Sequence, residues 1–183
     1  MKNSAPRRRL FINARIMDPE TVLDIHGDVL AEKGKITAIG KDLPRDEFKG
    51  GKGIVDCKGA VLAPGLVDAR VFIGEPGGEH RETIKTAGRA AAAGGVTTMV
   101  MMPDTDPVID DVSLVEFVRA TAQAKSPVRI LPAAALSKGQ GGEMMTEMGL
   151  LKDAGAVAFT DGRKTIENSQ MMRRALTYSA DIG

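Results

Sequence analysis

The sequence predicts an α/β chain: a short β-rich part, residues 1–59, followed by four strand–helix units over residues 60–183. Two observations carry this prediction. Between Leu10 and Val55, brief apolar runs are separated by clusters of turn-forming residues. From Ala60 onward, apolar strand-length runs alternate with helical patterns. Strand–helix units in succession argue for a parallel sheet. A closed parallel barrel has eight strands, so four units are half of a (β/α)8 TIM barrel.

The elements follow in order. Strands are expected at Leu10-Phe11-Ile12, 28–31, 35–39 and 53–56, with Glu32-Lys33-Gly34-Lys35 as a hairpin turn and 41–52 as a solvated loop. A strand over 61–72 leads to a helix over 79–93, closed by Gly94-Gly95. A strand over 96–102 precedes a helix from Ser113, whose Ser-Leu-Val-Glu spacing is a capping box, to Ala124. Strands over 128–135 and 156–160 alternate with helices over 142–154 and 167–182. Half a barrel leaves two strand edges unpaired. The chain is therefore expected to be the N-terminal piece of a longer protein and to need the other half as a lid. Its inward faces would carry Val67, Ala69 or their neighbours on one strand, and Val157 or Phe159 on another.

Composition excludes several classes. The 183 residues hold 25 Lys and Arg against 24 Asp and Glu, so no basic excess suits a nucleic-acid partner. One tyrosine, five phenylalanines and no tryptophan are too few rings for a base-stacking platform. The run Arg7-Arg8-Arg9 is short. No apolar run reaches the length of a membrane span, and the charged start is not followed by a signal-peptide core. The single cysteine, Cys57, forms no intrachain disulfide and falls in an apolar pattern, which suits a buried, inert thiol in a reducing compartment. A cytoplasmic location is expected.

Residues 64–77 read Pro-Gly-Leu-Val-Asp-Ala-Arg-Val-Phe-Ile-Gly-Glu-Pro-Gly. The segment resembles the dihydroorotase signature of the amidohydrolase superfamily, in which PGLVD is followed by x-His-x-His-x-Arg-Glu-Pro-Gly. Arg70 and Phe72 stand at the two metal-binding histidine positions, and Gly74 stands at that of the substrate-gripping arginine. Residues two apart on a strand share a face, so paired histidines there can present two imidazoles to one metal. A phenyl ring offers no lone pair. A guanidinium has no acceptor and repels a divalent cation. The chain's only histidines, His26 and His80, are too far apart in sequence to form a local pair.

The resemblance continues in separated places. Gly94-Gly95-Val96-Thr97-Thr98 and Met102-Pro103-Asp104-Thr105-Asp106-Pro107 are similar to the GG-x-TT and MPNTxP segments. The segments 131–139, Thr146-Glu147-Met148-Gly149 and 154–161 are similar to those that follow. The resemblance implies the amidohydrolase barrel, with the N-terminal part contributing to a small β-sandwich. It also implies site roles. Asp68 matches the aspartate of the first motif. Asp104 replaces an asparagine that helps bind the substrate carboxylate, so Gly74 and Asp104 mark a vestigial substrate site. Asp161 matches an acidic residue that bridges the metals, and is the one surviving candidate ligand. The active family uses zinc-activated hydroxide to attack an amide carbon, with an aspartate shuttling the proton.

Here no catalytic residue and no bound cofactor are expected. The implied function is a catalytically inactive dihydroorotase-like protein of pyrimidine biosynthesis, oligomeric, acting as a structural partner of aspartate carbamoyltransferase. The alternative is a metal-dependent cyclic amidohydrolase, of dihydroorotase or allantoinase/hydantoinase type, with altered ligation at Asp161 and beyond Gly183.

Overall fold

A computed structural model describes residues 8–182, the side chain of residue 49 excepted. Arg7 of the basic run and Gly183 lie outside the described residues. The chain divides after Pro64 into two compact units.

The first unit is built on one long strand. β1 (Arg8–Asp18) pairs antiparallel with β2 (Leu23–Glu32), and β2 with β3 (Lys35–Gly40). β4 (Ile54–Asp56) and β5 (Val61–Leu62) run parallel to β1. Leu10, Ile12, Ala14 and Ile16 alternate into the interior, the period-two signature of a strand with one wet face. The β2–β3 turn holds Lys33 and Gly34 at φ 49° and 81°, a left-handed pair of the kind that suits tight hairpins. Buried Asp28 accepts the backbone N–H groups of Asn13 (3.0 Å) and Leu43 (3.1 Å), which the β1 bulge and the long loop would otherwise leave unpaired. Cys57 is half-buried after β4. Desolvation, then the carboxylates of Asp56 and Asp28, push its thiol above the ordinary range.

The second unit is a parallel sheet of order β6-β7-β8-β9, with strands Leu66–Val71, Val96–Met101, Arg129–Ala134 and Ala158–Phe159. Helices α1 (Ile84–Ala93), α2 (Val112–Lys125), α3 (Met148–Ala154) and α4 (Ser169–Ile182) follow the strands in turn. The core lies between strands and helices. Ile73, Ile84, Met101, Ile109, Val115 and Val118 are fully buried in it, and each such side chain contributes about 1.5–3 kcal/mol.

Several expected boundaries move. The strand over 61–72 is two strands: Val61–Leu62 pairs with β1 in the first unit, and the barrel strand starts at Leu66, beyond Pro64. The division accordingly falls at 64/65 rather than 59/60. α1 starts at Ile84, because residues 75–82 form turns and Thr83 with Thr86 makes the capping box. α2 is capped by Asp111, which accepts the N–H of Ser113 at 2.9 Å, so Ser113 lies inside the helix rather than at its cap. The helix expected over 142–154 is only Met148–Ala154, since residues 138–147 are tied down in a loop. Phe159 packs on the helical side of the sheet, not inward. Leu66, Val67 and Val157 are 62, 66 and 50% exposed.

Candidate functional site

The C-terminal ends of β6 to β9 bring together the residues singled out by the sequence, as parallel barrels do. On β6, Val71 and Ile73 pack toward α1 in the core. Arg70 and Phe72, which alternate with them, then turn to the concave side. The Arg70 Nη2 reaches the carbonyl oxygen of Gly162 in a long hydrogen bond of 3.5 Å. Gly162 follows β9, at the far edge of the sheet from β6. In a flat sheet those edges would be about 14 Å apart, three strand spacings. One side chain closes that gap, so the sheet is strongly curled.

The other strand ends are stitched in the same manner. Asp104, after β7, accepts the side-chain N–H of Gln140 at 2.6 Å and faces Arg163 Nε at 3.6 Å. Arg163 lies over the ring of Phe72, 5.9 Å from its centroid. Asp161 accepts the Ser137 backbone N–H at 2.9 Å with one oxygen and the Ser137 hydroxyl with the other. The same hydroxyl accepts the N–H of Gly142 at 2.8 Å, fixing the loop after β8. Asp161 and Ser137 are buried at 4% and 0% exposure. Arg70, Asp104 and Asp161 thus each engage a protein group. Asp104 as an acceptor-only group fits its place, since donors from Gln140 and Arg163 meet it.

Gly74 sits in a loop that closes on itself. Its carbonyl accepts the Gly78 N–H. A Cβ at 74 would overlap the Gly78 carbonyl oxygen and lie 3.0 Å from that of Glu82. No side chain enters there without moving backbone. Buried Glu75, the next residue, accepts the Ile84 N–H at 2.8 Å and faces Lys125 at 3.4 Å, so it anchors the start of α1. Glu79 accepts the Gly77 N–H at 3.0 Å, which holds its carboxyl below the ordinary range.

These donors do not fit zinc. Phe72 has no lone pair, Arg70 brings positive charge, and both Asp161 oxygens are committed to Ser137. Among the described residues, no three of His, Cys, Asp and Glu gather to hold a metal ion. His26 lies on β2 and exposed His80 in the turns before α1, so neither supplies an imidazole at a barrel strand end. Three participants escaped the sequence reading as site residues: Ser137, Gln140 and Arg163. Their one signal was position, just past a strand end on the face where barrels build sites.

The sequence of residues 59–183 matches the dihydro-orotase-like family. The chain belongs to that family. It is 47% identical over 173 residues to a dihydroorotase of Wolbachia sp. subsp. Drosophila simulans (strain wRi), covering 94% of this chain and 38% of the relative. A dihydroorotase of Sulfurihydrogenibium sp. (strain YO3AOP1) is 40% identical over 174 residues, covering 95% of this chain and 40% of that one. The chain thus spans about two fifths of the length of these relatives. The fold is similar to that of an L-hydantoinase (dihydropyrimidinase) from Arthrobacter aurescens, with TM-score 0.76 and 21% identity over 94% of this chain and 38% of that one. This family membership agrees with the motifs, and the fold likeness with a partial amidohydrolase barrel. No helix among the described residues is long and apolar enough to cross a membrane.

Proposed function

We propose that this dihydro-orotase-like chain belongs to pyrimidine biosynthesis, is catalytically inactive, and serves as a structural partner of aspartate carbamoyltransferase in an oligomer in the cytoplasm. The observation that carries the reading is the pair Arg70 and Phe72 at the mouth, where a guanidinium bonded to Gly162 and a ring under Arg163 occupy the metal-ligand positions. The working chemistry needs an electrophilic ion to activate water and groups that hold an anionic substrate. The two substrate-holding positions of the signature are changed: Gly74 has no side chain, and Asp104 accepts from Gln140 and faces Arg163. Three roles change together, which is more than a shift in specificity.

The alternative, an amidohydrolase with altered ligation centred on Asp161, has that residue's two bonds to Ser137 against it. A ligand carboxylate would have to release the Ser137 N–H in the interior, leaving it without a partner. The test combines three measurements. Elemental analysis should find no stoichiometric zinc, and dihydroorotate should be neither hydrolysed nor formed. Co-purification with aspartate carbamoyltransferase should yield a stable complex. Turnover of about 1 per second or more would overturn the inactive reading, and absence of any complex would overturn the partner reading.

A further inference from the structure

We infer that the mouth of the half-barrel, where the family signature places a metal, binds a small carboxylate or phosphate anion between the guanidinium groups of Arg70 and Arg163. The inference rests on the inactive reading above, since it needs the metal position to be without zinc. A guanidinium carries five N–H donors and no acceptor. Arg70 uses one of them, in the long bond to Gly162, and is otherwise exposed. Arg163 directs its Nε toward Asp104 and its face toward Phe72, leaving both terminal nitrogens open, with the side chain 79% exposed.

The two cations flank a single residue. One bonds the Gly162 carbonyl, and the other is its chain neighbour. The acidic groups nearby are already served by donors. Asp104 is held by Gln140 and Arg163, Asp161 by Ser137, and Asp68 by the backbone N–H of Arg70 at 3.1 Å. Arg70 consequently has no carboxylate partner among the described residues. A planar carboxylate matches a guanidinium fork with two parallel hydrogen bonds, and a phosphate does so with two of its oxygens. The open donors of the two guanidinium groups therefore carry the recognition.

The test is titration calorimetry on the full chain, stripped of metal with a chelator, using succinate and inorganic phosphate separately. Saturable binding is expected for at least one, weakened about tenfold or more by Arg70→Gln and by Arg163→Gln. Arg70→Lys keeps charge but loses the fork, so it should fall between parent and Arg70→Gln and guards against misfolding as the cause. Arg174→Gln, on exposed α4, should leave binding unchanged. Stronger binding of succinate would assign a carboxylate ligand, and stronger binding of phosphate an oxyanion of phosphorus. No heat up to about 10 mM ligand, weaker than any ordinary site, or equal binding by Arg70→Gln, would overturn the inference. Either result in a zinc-free protein leaves the inactive reading standing. Binding that appears only on adding zinc would overturn both.

Discussion

Replacing Asp161 by alanine asks whether this carboxylate is a lock or an idle metal ligand. In the structure it accepts two donors from Ser137, itself fully buried. Deleting it strands the Ser137 N–H in the interior, at about 1–3 kcal/mol for one unsatisfied group. The hydroxyl loses its acceptor as well, although it still accepts from Gly142. Removing a buried charge offsets part of this, because a carboxylate is itself costly to desolvate. The net loss should be about 2–3 kcal/mol, or roughly 10 °C in melting temperature for a domain of this size. Asp161→Asn keeps one oxygen for the N–H and offers its amide to the Ser137 hydroxyl, so about 1 kcal/mol or less should be lost. Thermal melts of all three proteins, with chelator and with added zinc, decide the matter. If Asp161→Ala melts within about 1 °C of the parent, or if zinc raises the parent's melting temperature and not the variant's, the lock is refuted.

The remaining predictions concern the mouth and its supports. Arg70→His with Phe72→His should bind zinc more tightly than either single change, since two ligands chelate; equal affinity of single and double variants by competition with a chromogenic chelator would count against the shared face. Adding Gly74→Arg should fail to restore dihydroorotate turnover and should lower the melting temperature, because even a Cβ there overlaps the Gly78 carbonyl. Gly162→Ala should destabilise, since its Cβ would overlap an Asp104 oxygen at a φ of 63°. Combining it with Asp104→Ala should recover part of that loss, a coupling readable in a double-mutant cycle. Asp111→Ala should cost about 1 kcal/mol by denaturant titration, whereas Ser113→Ala should cost less. The Ser113 hydroxyl and N–H hold the Asp111 carboxyl below the ordinary range. The cap's contribution is therefore present above the unfolded aspartate range and is lost as pH falls through the lowered folded value. A cap energy unchanged between neutral and strongly acidic pH would contradict the assignment.

Much of the fold was legible because the signals are local. Alternation at Leu10, Ile12, Ala14 and Ile16 marks β1, and Gly94-Gly95 ends α1 where expected. Boundaries set by tertiary pairing were not. Val61–Leu62 reads as part of a barrel strand, yet it adds to β1, because backbone pairing and not side-chain pattern decides which sheet receives a strand. Ser113 carries a capping box in sequence, but Asp111 two residues earlier offers a better-placed acceptor and takes the cap. Around the strand ends, motif positions single out Arg70, Phe72, Gly74, Asp104 and Asp161. Their partners were not legible. Nothing local links Ser137 to Asp161, 24 residues on, or Gln140 to Asp104, 36 residues back. Only the curl of the sheet brings those strand ends together.

The closed turn at Gly74 limits which substitutions the strand end accepts. A histidine can be placed at position 70 or 72 by one substitution, since Arg70 and Phe72 are exposed. Position 74 is different. With the Gly78 carbonyl resting where a Cβ would go, the intermediate carrying arginine alone suffers the clash before gaining any grip on substrate. An arginine there needs the 74–78 turn to open and the side chain to appear in the same step. Positions 70 and 72 thus accept new side chains freely, whereas the backbone around position 74 admits none without moving.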